Sequence, residues 1–108
     1  MDERAWKDIL ARYGQRVKLL RDGEEKELRA FFQPVEEKAP GMVPTPLGVA
    51  PAGKWLYLGP VEEDLEGVDV LTWEGRAFGL LRHRGIPMGE GFCYRWGIFY
   101  ELDDEVRA

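Results

Sequence analysis

The strictest constraint on the fold of this 108-residue chain is an alternation of large apolar residues near its C-terminus. In the segment FCYRWGIFYEL, every second residue is large and apolar: Phe92, Tyr94, Trp96, Ile98 and Tyr100. Side chains of a β-strand point alternately to the two faces of a sheet, so this period of two predicts a strand with one strongly apolar face. The other segments of the chain must then supply its neighbouring strands.

Two segments predict β-hairpins, because apolar alternation stands on both sides of a turn signal. In the first, the signal is Asp22-Gly23, and Pro34 limits the strand that follows. Its polar connection, RDGEEKE, is expected to project from the body of the fold. In the second, VDVLTW and RAFGLL flank Glu74-Gly75, which makes Leu71, Trp73 and Phe78 candidates for packing.

The remaining segments complete a mainly β domain. Residues 2–13 predict an amphipathic helix, since Trp6, Ile9, Leu10 and Tyr13 follow helical spacing and Gly14 ends it. Residues 36–53 predict a Pro-rich loop without ladder or helix, and residues 54–101 predict the β-rich core. We therefore expect one domain over residues 1–108, a small antiparallel β-barrel or sandwich of five to six strands with one N-terminal helix.

Charge and cysteine content limit the classes of partner and compartment. The formal net charge is −5, which argues against binding to nucleic acid phosphates. The single cysteine, Cys93, cannot form a disulfide within the chain and is compatible with a reducing compartment. The first residues, MDERAWKDILARYG, lack the apolar core of a secretory signal, and the longest uncharged stretch holds too many prolines for a spanning helix. These features predict a soluble, intracellular protein with no membrane partner.

Catalytic or metal-binding motifs are not evident in the sequence. One histidine and one cysteine, without CxxC or HxxxH spacing, predict no metal site and no cofactor. A Cys93–His83 nucleophile–base pair is conceivable if their strands are neighbours, which leaves a Cys/His enzyme as one alternative. A second alternative is a small ligand-binding or regulatory β-barrel, with an aromatic pocket lined by some of Trp55, Tyr57, Trp73, Tyr94 and Trp96.

Two groups of residues are candidates for contact with a protein partner. Arg82 and Arg84 flank the only histidine and, in a strand, share the face opposite to it. They form either a solvated strand end or a contact to an acidic surface, such as the 62–74 segment or the C-terminal tail of a neighbouring copy. In the Pro-rich loop, the apolar side chains able to lie against a neighbour are Met42, Val43, Leu47 and Val49.

The order of these segments resembles a family of small proteins encoded in the structural modules of Firmicutes phages and prophages. The resemblance is carried by the helix ending in YG, by QRVKLLRDG, KWLYLGP and LEGVDVLTWEGRAFGLLRH, and by the final strand YRWGIFYEL. Members of this family often have Gly-Asp before the hairpin and Gly-Arg-Tyr after its turn. In this chain Val68 separates Gly67 from Asp69, and Phe78 replaces the tyrosine.

The resemblance implies a non-enzymatic head–tail connector, head-closure or tail-completion protein. Such a protein has a β-barrel core and forms a homo-oligomeric ring between the portal and the tail, so its partners are phage portal and tail proteins. It implies virion assembly in the cytoplasm and a final place at the head–tail interface. An acidic surface fits this role, because a conduit that repels phosphate lets DNA slide.

Overall fold

The computed structural model describes residues 2–35, 43–45, 48–50, 53–87, 89 and 93–102. Its elements, in chain order, are α1 (Glu3–Tyr13), β1 (Gln15–Arg21), β2 (Glu24–Pro34), β3 (Val43–Thr45), β4 (Gly48–Ala50), β5 (Lys54–Gly59), β6 (Val70–Trp73), β7 (Arg76–Pro87) and β8 (Cys93–Glu101).

Six antiparallel strands close into a barrel in the order β1-β2-β5-β8-β7-β6, with β6 pairing again with β1. The prediction of a mainly β fold with one N-terminal helix is confirmed, and of the two architectures expected the chain adopts the barrel. The β-rich core is wider than the predicted residues 54–101, because β1 and β2 supply two of the six barrel strands.

Tight two-residue turns join β1 to β2 and β6 to β7. Asp22 and Gly23 have φ of 51° and 80°, and Glu74 and Gly75 have φ of 48° and 76°. Positive φ at both central residues is the geometry whose twist suits antiparallel strands. The expectation of a long polar connection at RDGEEKE was wrong: β2 already begins at Glu24, and the polar residues belong to a paired β-ribbon.

The predicted absence of any ladder in residues 36–53 was also wrong. β3 and β4 form a separate two-stranded sheet, in which Val43 pairs with Ala50 and Pro44 with Val49. Proline is compatible with this small sheet because each strand has a partner on one side only, which leaves half of the backbone N–H groups without a ladder role.

The barrel interior is filled by aromatic and aliphatic side chains. The largest ones with almost no exposure are Tyr57, Phe32, Phe78, Phe99, Leu19, Leu65, Leu71 and Val17. Phe32 lies at the centre, with its ring centroid 4.8 Å from Phe78 and 5.1 Å from Trp55. The sequence-based assignment of Leu71, Trp73 and Phe78 to packing is confirmed, with Trp73 partly buried against this cluster.

The apolar alternation of β8 faces outward. Phe99 and Gly97 point into the barrel, whereas Tyr94, Trp96 and Ile98 lie on its outer wall. Phe92 falls outside the described residues. Helix α1 packs against part of this wall.

Helix α1 is held at its start by Asp2, whose carboxylate accepts a hydrogen bond from the Ala5 N–H at 2.8 Å. On the barrel wall, the Trp6 ring lies 5.4 Å from that of Tyr94, and its indole N–H donates to the Gly59 carbonyl at 3.0 Å. The helix therefore covers the end of the apolar face of β8 at which Tyr94 lies.

Candidate functional site

Four of the six residues predicted to contact a partner lie within the described residues, and they form two pairs. Arg82 and Arg84 lie two positions apart on β7. Val43 and Val49 lie on the facing strands β3 and β4, one register step apart, and only their backbone is described. Met42 and Leu47 lie outside the described residues.

Arg82 and Arg84 extend over the ring of Trp96, on the outer wall of the barrel. A register shift between Leu80 and Arg82 inserts Leu81 as an extra residue, and Arg84 then pairs directly with Trp96 across the β7–β8 ladder. The Cζ atoms of Arg82 and Arg84 lie 5.8 and 5.1 Å from the centroid of the indole. We call these three residues the cation–aromatic surface.

Within the part of the chain that the structure describes, neither arginine of this surface has an ion-pair partner. Among the described residues, no carboxylate lies within 4.0 Å of either guanidinium, although the chain holds 20 acidic residues against 15 basic ones. The exposed side chains of Leu81 (52% exposed) and Tyr100 (43%) also lie on β7 and β8. Tryptophan, tyrosine and arginine are the residue types that dominate the energetics of protein interfaces.

His83 points to the opposite face of β7, as strand alternation predicts. Its Nε2 lies 3.1 Å from Oε2 of Glu66, and its Nδ1 lies 3.9 Å from Oδ1 of Asp64. Arg95 approaches the same segment, donating from Nε to the Val61 carbonyl at 2.9 Å. We call residues 60–69 the acidic loop. Among the described residues of β7 and β8, this loop contacts His83 and Arg95 and not the two arginines of the cation–aromatic surface.

A second set of contacts fixes the acidic loop to the β1–β2 ribbon. Arg21 donates from Nη1 to the Glu63 carboxylate at 3.1 Å and from Nε to the Glu66 carbonyl at 3.0 Å, and its Nη2 also contacts the Asp64 carbonyl. The Nζ of Lys26 lies 2.6 Å from Oε1 of Glu63. Arg21 and Glu63 are 42 positions apart in sequence, so no local pattern indicates that their side chains meet.

Glu63 is a buried carboxylate, 6% exposed. Burial by itself raises its pKa, but the hydrogen bonds from Lys26 and Arg21 outweigh burial and hold the pKa below its ordinary value. The nearby Tyr57 hydroxyl is also buried, and burial raises the pKa of Tyr57 well above its ordinary value. Around neutral pH Glu63 therefore stays ionised and Tyr57 stays protonated, which suits a structural role for both residues.

The residues of the two alternative sites are not brought together. Cys93 pairs with Pro87 and His83 with Gly97, so the two residues are four ladder positions, or about 13 Å, apart along the strands. Of the five aromatic residues proposed for a pocket, Trp55, Tyr57 and Trp73 pack in the core, whereas Tyr94 and Trp96 lie on the outer wall.

Two cavities of about 300 Å³ lie outside the barrel. The first runs between α1, β2 and the acidic loop, with an apolar floor of Leu10, Ala11, Leu28 and Pro60. The second lies where β1, β2 and β6 meet the Glu74-Gly75 turn, and its lining carries mixed charge. Neither contains a residue of the cation–aromatic surface.

Comparison with protein-family models and with curated protein sequences gave no significant match. In the part of the chain that the structure describes, no helix is long and apolar enough to cross a membrane. Within that same part, no three His, Cys, Asp or Glu residues are grouped so as to hold a metal ion. The cation–aromatic surface is thus the feature on which a functional proposal can be based.

Proposed function

We propose that this chain is a structural protein of a phage or prophage head–tail junction that acts through protein–protein contacts in a ring. Its partners are portal or connector proteins on one side and tail proteins on the other. It is non-enzymatic, needs no cofactor, binds no specific nucleic acid sequence, assembles in the cytoplasm and ends at the head–tail interface of the virion.

The observation that carries this proposal is an unpaired cationic surface on the outside of a filled barrel. Arg82 and Arg84 lie over Trp96 and are free of carboxylates within the described residues, and the interior behind them is occupied by side chains such as Phe99 and Phe78. A planar guanidinium stacked on an indole still presents its N–H edges to a carboxylate. Such a surface favours binding to another protein.

The ligand-binding alternative has one observation in its favour, the cavity between α1 and β2. Its apolar floor is rimmed by ion pairs, with Lys7 3.7 Å from Glu62 and Lys26 2.6 Å from Glu63. The volume is at the lower limit of small-molecule sites. A regulatory ligand would enter here and not through an aromatic pocket inside the barrel.

Co-purification with the products of adjacent genes tests the proposal. The tagged chain is expected to retain a purified portal or tail protein encoded beside it. The triple variant, which combines Arg82→Ala, Arg84→Ala and Trp96→Ala, is expected not to retain it. A variant with Arg4→Ala and Arg12→Ala, both on the exposed side of α1, serves as the control. Failure of the wild-type chain to retain any of these proteins, or equal retention by the triple variant, would overturn the proposal.

A further inference from the structure

Strand β2 extends past the end of β5, its neighbour in the barrel. Among the described residues, residues 31–34 of β2 pair with β5, whereas residues 24–30 pair with β1 alone. After Gly59 the chain leaves the ladder at Pro60, which has no backbone N–H to donate. In this part of the chain, residues 24–30 of β2 therefore have one edge without a strand beside it. Such an edge is a template for pairing with a further strand.

The backbone groups that face this open edge follow from the Asp22-Gly23 turn. A two-residue turn is closed by a pair that exchanges both hydrogen bonds, here Arg21 and Glu24, and the pattern alternates along the strands from there. Even-numbered residues of β2 therefore bond to β1, and odd-numbered residues point to the other side. The Val35 N–H, which donates to the Lys54 carbonyl of β5, follows the same alternation. The residues with N–H and C=O groups at the open edge are Glu25, Glu27 and Arg29.

The cavity between α1, β2 and the acidic loop lies along this open edge. Lys26, Leu28 and Arg29 of β2 line it, together with Leu10 and Ala11 of α1. Its volume is about 300 Å³ and its floor is apolar. Burial of a large aliphatic or aromatic side chain is favourable in such a space, whereas burial of an unpaired charge is not.

The charges at the rim of this cavity are already paired within the chain. The Nζ of Lys26 lies 2.6 Å from Oε1 of Glu63, and the Nζ of Lys7 lies 3.7 Å from Oε2 of Glu62. Both pairs join the acidic loop to the elements on either side of the cavity. The rim therefore offers little attraction to a charged group, and an uncharged side chain is the better occupant.

The end of the edge near the turn has a different character. Glu25 is exposed and faces the apolar Leu20 across the β1–β2 ladder, whereas Glu27 faces Lys18. Among the described residues, Glu25 has no cation within 4.0 Å. Opposite charges on directly facing residues of neighbouring strands attract. A basic residue in an added strand would therefore fit next to Glu25.

We propose that this edge binds an extended peptide segment of a partner protein, which adds a strand to β2. The peptide backbone pairs with Glu25 and Glu27, and a large apolar side chain of the peptide occupies the cavity beside Leu28. A basic residue about three positions away lies next to the Glu25 carboxylate. In complexes of this kind the main-chain hydrogen bonds give affinity, and the pocket selects the side chain.

A peptide fits this site better than a small ligand or a second copy of the chain. Open N–H and C=O groups that recur at every second residue match a peptide backbone, whereas a small ligand would meet them at one point only. Helix α1 borders the same cavity, so a single extended segment is accommodated more easily than the edge of a second barrel. The charged side chains of the edge also disfavour pairing with any chance strand.

The site is independent of the proposed function. No residue that lines the cavity belongs to the cation–aromatic surface, and β2 lies three strand positions from β7 around the barrel. The edge is therefore a second place at which a protein can bind. Its failure as a site leaves the role proposed for Arg82 and Arg84 unchanged, and the reverse also holds.

Selection from a library of random octapeptides displayed on phage, with the full-length chain as the target, supplies the probe. The selected sequences are expected to share one large aliphatic or aromatic residue and a lysine or arginine about three positions from it. A synthetic peptide of a selected sequence, with both termini blocked, is expected to bind with a Kd below about 1 mM. N-methylation of alternate backbone amides keeps every side chain, and for one of the two alternating sets it is expected to weaken binding at least about tenfold.

Amide hydrogen exchange, followed by NMR of the isotope-labelled chain, locates the bound peptide. In the free chain, the amides of Lys26 and Leu28, which bond to β1, are expected to exchange more slowly than those of Glu25 and Glu27. The peptide is expected to slow exchange at Glu25 and Glu27 at least about tenfold and to leave Lys26 and Leu28 nearly unchanged. A small ligand confined to the cavity would not protect Glu25 and Glu27 in this way.

Two variants test the edge and the cavity separately. Glu27→Pro removes an N–H that bonds to no strand of the barrel, so the chain is expected to fold and to bind the peptide at least about tenfold more weakly. Glu27→Gln, which keeps the N–H, is the matched control. Ala11→Phe places a ring in the cavity and is expected to weaken binding to a similar degree. Arg4→Phe, on the exposed side of the same helix and outside the cavity, is its control.

Several results would overturn the inference. These are a library that yields no binding peptide, selected sequences without the apolar or the basic residue, and a bound peptide that leaves Glu25 and Glu27 unprotected. Equal binding by Glu27→Pro and Glu27→Gln, or by Ala11→Phe and Arg4→Phe, would also overturn it. A free chain that is dimeric in sedimentation velocity, with Glu25 and Glu27 already protected, would assign the edge to a second copy instead.

Discussion

Arg84 stands directly across the β7–β8 ladder from Trp96, with its Cζ 5.1 Å from the centroid of the indole ring. The same indole lies 5.8 Å from the Cζ of Arg82. Two cations thus lie close to one indole ring on the outside of the barrel. Stability and binding can be separated here, because a surface contact of this kind contributes little to folding.

Replacing Arg82 and Arg84 by alanine is expected to lower the free energy of unfolding by less than about 1 kcal/mol for each residue. Chemical denaturation followed by tryptophan fluorescence measures this change. Arg76→Ala is the contrasting variant, since Arg76 forms two hydrogen bonds to Glu101 and lies over Trp55, and a larger loss is expected there. A loss above about 2 kcal/mol for Arg84→Ala alone would assign the arginine to the fold.

Glu63→Gln is expected to lower the free energy of unfolding at neutral pH by about 1–3 kcal/mol, because Arg21 and Lys26 lose the charge that they bind. The pKa of Glu63 is lower in the folded state than in the unfolded chain, so the unfolded chain takes up a proton first as the pH falls. The stabilisation by Glu63 is therefore complete above the unfolded pKa of about 4.3 and is lost as the pH falls through the folded pKa.

Urea denaturation between about pH 3 and pH 7 measures this dependence. The difference between wild type and Glu63→Gln is expected to be largest at neutral pH and to shrink on acidification. Glu62→Gln is the control, since Glu62 is exposed and 3.7 Å from Lys7, and it is expected to show almost no difference at any pH. A difference for Glu63→Gln that does not change with pH would contradict the assignment of its charge to Arg21 and Lys26.

Gly59→Ala is expected to destabilise the chain by about 1–3 kcal/mol. A Cβ at Gly59 would clash with the hydroxyl and ring of Tyr57, whose side chain is fully buried. At Gly53 a Cβ would have no neighbour within 4 Å, so Gly53→Ala is the control and is expected to have no cost. Equal midpoints of thermal unfolding for the two variants would show that the barrel end is loosely packed.

Tyr57→Phe is expected to leave the free energy of unfolding unchanged or to raise it by about 1 kcal/mol. The hydroxyl is buried and, among the described residues, has no hydrogen-bond partner, so its removal loses no bond and ends a desolvation cost. The measurement is urea denaturation of both proteins at neutral pH. A loss of more than about 1 kcal/mol would show that the hydroxyl forms a bond that stabilises the fold.

Local signals in the sequence were sufficient to predict the elements that depend on neighbouring residues. The turns at Asp22-Gly23 and Glu74-Gly75 and the end of the helix before Gly14 all occur where the sequence places them. Each is set by backbone conformations that glycine and proline favour or prevent. The number and spacing of these strands predicted a barrel or a sandwich, and the pairing of β1 with β6 makes it a closed barrel.

Features that depend on distant residues could not be predicted. An alternation such as that of β8 defines two faces but not which one is inside, and Gly97 and Phe99 take the interior because Leu65 and the core fill the space beside them. The burial of Glu63 depends on Arg21 and Lys26, about 40 residues away. For the candidate site, the shared face of Arg82 and Arg84 followed from alternation, whereas Trp96 beneath them required the β7–β8 register.

The most direct test of the central claim, a structural role at a head–tail junction, is the location of the chain in assembled particles. Tailed particles of the phage or induced prophage that carries the gene can be purified and examined by mass spectrometry and single-particle electron microscopy. The account predicts that the chain is present in several copies, as a ring of small barrels between portal and tail. Tailed particles that lack the chain, or that hold it away from the junction, would contradict it.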